Sequence, residues 1–240
     1  MGAALPVTEM KTVAILQPSY LPWLGYFDQI RRADVFVLYD DVQYDKHGWR
    51  NRNRIKTPQG PHWLTVPVRA SGLDKPLNRD VQIDNRLPWA RKQLGTIRQF
   101  YAKAPYLGTY LPPLEAALNQ KWHLLLDLDR ALLDLCCAWL QIPSPTTLSS
   151  QLNIEGGQTE RLVRICQHFQ ATHYLSGNAA QSYLDVAIFA AAGIEVVWQN
   201  YQHPVYSQLH GEYCSHLSVL DLLFNCGNKS PSIIENIGTS

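Results

Sequence analysis

Hydrophobic residues occur first as a short continuous run, VAIL at 13–16, and then at helical spacing, so 12–16 predicts a buried strand and about 24–33 a helix. A second apolar run predicts a strand at 35–39, and after a polar loop a further strand is expected near 62–68. Between 88 and 142 the spacing is helical throughout: Leu94, Ile97 and Phe100, then Leu114, Ala117 and Leu118, then Leu124, Leu128, Leu132, Leu135 and Leu140. This leucine stripe predicts helices around their own core and is assigned no ligand. Pro143 and Pro145 end it. The chain then alternates again, with a helix at about 158–170, a strand at 173–175, a helix at about 180–192, a strand at 194–199 and a last helix at about 218–226. Such alternation predicts an α/β fold: a Rossmann-like, mostly parallel sheet with helices on both faces and a helical subdomain, about 88–142, inserted in the middle of the chain. Residues 1–9 carry no periodicity and read as a loose extension, leaving 10–240 as a single α/β domain.

Composition narrows the class. A chain of 240 residues with 46% hydrophobic content can bury a sizeable core, which excludes disorder as a whole. Its net charge of +1 sets up no global field, so nucleic acid is not expected as a partner. No run approaches the ~18 to 20 apolar residues of a membrane span and no signal peptide is visible, which reads as a cytoplasmic protein. The five cysteines show neither a disulfide framework nor CxxC spacing, so reduced core thiols and no bound zinc are expected.

Candidate chemistry lies between the elements. In α/β sheets ligands bind beyond the carboxyl ends of the strands, where the next helix offers unpaired N–H groups to an anion. The first such junction is QPSYLPWLGYFDQI, 17–30, which puts Gln17, Ser19, Tyr20, Trp23 and Tyr26 there; a plain proline-stiffened loop would explain the aromatics, and Gln17 is the stronger candidate. A parallel second strand would bring Asp40 and Asp41 to the same rim. The segment 39–60 then concentrates Arg50, Arg52, Arg54 and Lys56 with Trp49 and Asn53, suited to a diphosphate because guanidinium forks bind oxyanions bidentately. In extended conformation the four cations would share one face. A solvated, charge-balanced loop is the alternative. In the second α/β unit Ser176, Gly177 and Asn178 follow a strand, where small residues let a nucleotide or sugar approach the backbone. Past the last strand come His203, Tyr206, His210, Cys214 and His216. His203, held extended by Pro204, has the pKa range for acid/base work. Ser218 and Asp221 have the S-x-x-D spacing of a helix capping box.

Taken in order, VAILQPSYLPWLGYFDQI, DDVQYDKHGWRNRNRIK, WLTVPV, YLSG, HPVYSQ and SVLDLLFNCG resemble the WbqC-like protein family, over nearly the whole chain from Met10 to about Gly227. The resemblance implies a setting among enzymes that build surface polysaccharides such as O-antigen, or other biosynthetic products. LPWLGYF is also similar in position to the HxGH motif of adenylyl-transferring Rossmann-like enzymes, with Trp23 and Tyr26 where the histidines would be. That departure removes the positive charge phosphoryl chemistry needs. No Walker P-loop or GxGxxG fingerprint is present.

The expectation is therefore a transferase acting on a nucleotide-activated (amino) sugar or similar phosphate-bearing metabolite, by acyl or aminoacyl transfer to an amino group. Gln17, Tyr20, Trp23, Tyr26 and Tyr206 would meet the substrate, with Ser176, Gly177 and Asn178. Arg50, Arg52, Asn53 and Lys56 would hold phosphate, and Asp41 or His203 would take the proton. Cys214 with His210 or His216 offers a covalent acyl route. A nucleotide-containing donor is the one cofactor considered, and the partner is a small molecule bearing phosphate or carboxylate. An ATP-dependent nucleotidyltransferase or adenylating enzyme, and a noncatalytic sugar-nucleotide-binding protein, stay open.

Overall fold

A computed structural model describes residues 9–69 and 75–235. The expected N-terminal extension lies outside the described residues except for Glu9. Strand β1, Thr12–Leu16, leads through a loop into helix α1, Leu24–Arg32, and back into β2, Val35–Leu38. An antiparallel hairpin follows, β3 at Arg52–Thr57 and β4 at Gly60–Thr65, then three helices: α2 at Trp89–Phe100, α3 at Leu107–Leu118 and α4 at Leu125–Leu140. The chain re-enters the sheet at β5, Thr147–Leu148, and continues with α5, Gln158–His168, β6, His173–Ser176, α6, Val186–Ala191, and β7, Glu195–Trp198. Helices α7, Val219–Cys226, and α8, Ser230–Glu235, close it.

The main sheet runs β5-β2-β1-β6-β7 with every pairing parallel. The first three strands grow outward from β1 in one direction and the last two in the other, so connections diverge between β1 and β6, the switch point at whose carboxyl ends sheets of this kind bind their ligands. Alternation along β1 explains the two-sided core. Ala14 points into the cluster with Phe27, Phe36, Leu38 and Leu222, while Val13 and Ile15 point into the opposite one with Ile165, Cys166 and Phe189. Leu94, Ile97, Leu114, Leu128 and Leu132 of the inserted helices pack into the same cluster as Ala14 and Leu175 of the sheet. Helix α7 is apolar almost all round because it is buried on every side from Val219 to Phe224, each such side chain contributing about 1.5–3 kcal/mol.

Three differences from the sequence reading have physical causes. The stretch read as a polar loop contains β3, whose Arg and Asn side chains mask the strand. The β4 edge falls at 60–65 rather than 62–68, because Thr57-Pro-Gln-Gly60 forms the turn, with Pro58 at its second position and Gly60 at φ +105°. The helix expected at 180–192 is split into a 3-10 turn, Asn178–Ser182, and α6, which Asp185 caps by accepting the Ala187 N–H at 3.0 Å.

Candidate functional site

The loop from β1 crosses the carboxyl edge of the sheet and is fastened from beneath. Asn53 donates to the carbonyls of Tyr20, 3.2 Å, and Leu21, 2.8 Å, and Tyr26 donates to the carbonyl of Gln17 at 3.1 Å. Tyr20 is fully buried with its hydroxyl on Gln93 at 2.7 Å, and the Gln17 amide oxygen accepts from Asn78 at 3.2 Å. Burial pushes the phenols of Tyr20 and Tyr26 well above their ordinary pKa, so both stay neutral.

Trp23, at the foot of α1, is half-buried, whereas Tyr20 and Tyr26 are buried. Its indole stacks on His216, centroids 5.1 Å apart and planes 22° apart, and more loosely on His203 at 6.3 Å; Tyr201 meets it edge-on at 5.0 Å. Gly25 makes this possible, because a Cβ there would overlap the Trp23 ring. An antiparallel bridge between Trp23 and Ser218 pins the two segments together.

The hairpin supplies the other wall. Trp49 and Trp63 lie 5.0 Å apart, with the Arg54 guanidinium 5.2 Å above Trp49 and that of Arg52 4.5 Å above Trp63. Arg54 also donates to the His216 carbonyl at 3.3 Å, and Arg52 to the His47 carbonyl at 2.7 Å. Trp23, Trp49 and His216 line a cavity of about 210 Å³. Of the four cations expected on one face, Arg52, Arg54 and Lys56 alternate along β3 and share it, with Arg52 and Arg54 half-buried and Lys56 covered. Lys56 turns inward to the carbonyls of Gly211, 3.1 Å, and Glu212, while Arg50 precedes the strand and donates to the Pro18 carbonyl at 2.8 Å.

His203 is occupied at both ring nitrogens. Nε2 accepts the backbone N–H of His216 at 3.1 Å, and Nδ1 meets the Tyr213 hydroxyl at 2.5 Å. Burial, with His216 nearby, outweighs the Pro204 carbonyl and lowers its pKa, keeping it neutral near pH 7. Tyr206 donates to the buried Asp221 at 2.9 Å, as Tyr101 does at 2.6 Å. Ser218 caps α7 through the Leu220 N–H, whereas Asp221 serves these phenols rather than returning to the cap. The Cys214 thiol is on the Ser215 carbonyl and shares no hydrogen bond with His210 among the described residues; His210 Nε2 is on the Phe100 carbonyl.

Asp41 stands elsewhere on the rim. It accepts from Arg161 and from Ser149, both at 2.5 Å; burial opposes its ionisation, but these hydrogen bonds and the Arg161 charge hold its pKa below the usual carboxylate range. Asp41, Arg79, Ser150 and Arg161 line a polar cavity of about 420 Å³ beyond β2 and β5. Asp41 and His203 share no hydrogen bond or cavity among the described residues. Ser176 ends β6 buried, Gly177 has an ordinary negative φ of −70°, and Asn178 pairs with Asn200 at 3.1 Å and 3.0 Å.

The motifs that build this rim are shared by a known set of proteins: the WbqC-like protein family matches residues 17–233. The chain belongs to the WbqC-like protein family. It is 40% identical over 227 residues to the uncharacterized protein Rv1507c of Mycobacterium tuberculosis (strain ATCC 25618 / H37Rv), covering 94% of this chain and 98% of that one. No solved structure matches. No helix among the described residues of this WbqC-like chain is long and apolar enough to cross a membrane.

Sequence reasoning missed several members of the site. His216 enters the sequence reading only beside Cys214, Trp63 only within the WLTVPV motif, and Tyr201 not as a site residue. The turn at 57–60 carried a signal for Trp63: once it is read as a hairpin, strict pairing sets Trp63 opposite Arg54. Nothing local marks Tyr201.

Proposed function

We propose that the chain is a biosynthetic transferase that holds a nucleotide-activated sugar, or a comparable phosphate-bearing metabolite, at the Trp23–Trp49–His216 cavity and modifies it by acyl or aminoacyl transfer to an amino group. The observation that carries this reading is a small cavity lined by the half-buried Trp23 and Trp49 indoles and His216, with the Arg54 guanidinium over Trp49 and that of Arg52 over the adjoining Trp63. A base or sugar ring stacks on the indoles, and the phosphates meet the arginines. His216 borders the cavity and takes the proton from the attacking amine. His203 positions it by accepting its backbone N–H. Asp41 is committed to Arg161 and Ser149, so in this reading it orients Arg161 at the neighbouring polar cavity.

Thermal stabilisation by a panel of nucleotides and nucleotide sugars tests the proposal, since a ligand of the native state raises its apparent stability. A nucleotide-sugar shift that disappears in Arg54→Ala and in Trp49→Ala is expected. A shift of the same size in both variants, or none with any nucleotide sugar, would refute the site. Turnover with an acyl donor that falls in His216→Gln while the shift remains separates the transferase from a protein that only binds.

A further inference from the structure

Trp89, Lys92, Gln93 and Thr96 recur at i, i+3, i+4 and i+7 and so share one face of α2. Between that face and β4 lies a cavity of about 270 Å³, walled by Trp63, Leu64, Pro67, Leu87 and Trp89, with Gln93 among its lining residues. Gln93 is 5% exposed, and only half of its amide is used. Oε1 accepts the hydroxyl proton of the fully buried Tyr20 at 2.7 Å, whereas Nε2 has no acceptor. Turning the amide over would not cure this, since Tyr20 would then lose the acceptor of its one proton. A buried donor without a partner costs free energy that a suitable acceptor restores. Other polar groups of the lining are committed: Trp89 Nε1 donates to Asn85 Oδ1 at 3.3 Å, and Thr96 Oγ to the Lys92 carbonyl at 3.0 Å. Lys92 is exposed, and so are the large apolar side chains of Trp63 and Leu87.

One unpaired donor among apolar walls, with a cation beside it, complements a molecule that carries a carbonyl oxygen on an apolar body. We infer that the cavity between β4 and α2 binds a short aliphatic or aromatic acyl group, its carbonyl oxygen accepting from Gln93 Nε2 and its apolar body lying against Trp63, Leu87 and Trp89. The volume is below the roughly 300–1,000 Å³ of pockets for drug-sized ligands, which suits a single ring or a short chain. A free carboxylic acid and an acyl group carried as an ester share this chemistry; in the free acid the second oxygen meets Lys92. Trp63 lies 5.0 Å from Trp49, which lines the proposed nucleotide-sugar cavity, so the two cavities adjoin across the indole pair. Binding here stands on its own residues, while its assignment as the acyl-donor half of the site rests on the transferase reading.

Calorimetric titration of the full chain with benzoate, hexanoate and their methyl esters tests it, against acetate, which lacks the apolar body, and benzylamine, which lacks the acceptor. Saturable binding of at least one of the four is expected, about tenfold or more tighter than either control. Within that result, an ester that binds as well as its acid identifies a carried acyl group, and binding of the acid alone identifies a free carboxylate held by Lys92. Gln93→Met keeps the volume and removes the donor, so it should weaken the ligand about tenfold. Leu87→Glu changes an exposed side chain, so it stays folded even where the Gln93 variant does not, and a charge against the apolar body should weaken binding too. No saturable binding to the folded wild type, equal binding of the controls, or unchanged binding in either folded variant would overturn the inference. Nucleotide-sugar stabilisation should be retained in Leu87→Glu. Its absence from the wild type while an acyl probe binds would refute the nucleotide-sugar reading and leave the acyl site standing.

Discussion

Asp129→Asn should stabilise the protein, by an amount that grows with pH. The carboxyl is buried on α4 without a hydrogen bond, and burial raises its pKa well above the ordinary value, with the Arg50 charge opposing only in part. In the unfolded chain it ionises near its reference pKa of about 3.9. Between that value and the raised folded one, the native state binds more protons than the unfolded state, so stability falls as pH rises. The loss is about 1.4 kcal/mol for each pH unit of the window, and it levels off above the folded pKa. Asparagine has nearly the same shape and no charge to desolvate, so the variant lacks this slope. Denaturant unfolding of both proteins from pH 4 to pH 8, with equal m-values, should give nearly equal stabilities at the acid end and a widening gap toward neutrality. A difference independent of pH, or a wild type that gains on the variant as pH rises, would refute the reasoning. It would mean that Arg50 swings over to pair with the ionised carboxylate.

Gly25→Ala should cost little stability, because alanine favours a helix by about 1 kcal/mol over glycine, yet its Cβ would displace the Trp23 indole. Loss of nucleotide-sugar stabilisation with a melting temperature close to wild type is expected, and unchanged binding would remove Trp23 from the site. Tyr206→Phe leaves Asp221 with Tyr101 as its remaining phenol donor and should destabilise by about 1–3 kcal/mol in denaturant unfolding. A neutral result would show that the 206–217 loop does not depend on this bond.

Periodicity alone determined the class of fold. VAIL, the apolar run after α1 and the alternation beyond Pro145 each required a buried strand between helices, and parallel pairing of β1 with β2 follows from that order, which brings Asp40 and Asp41 to the rim with Gln17. Local sequence also marked Gln17 to Tyr26 as a junction at a strand's carboxyl end. It could not show which of those side chains are buried. Tyr20 and Tyr26 are drawn inside because Gln93 and the Gln17 carbonyl accept their hydroxyls, and Trp23 is left half-buried over Gly25, which clears a place for its ring. Strand β5, two residues long, carries no periodicity to read, and β3 is hidden by its arginines. The pairings that give the site its chemistry join residues far apart in the chain: Trp23 with His216, Arg54 with the His216 carbonyl, and Asp41 with Arg161. Burial, charge pairing and stacking are properties of those meetings, so only the tertiary structure decided them.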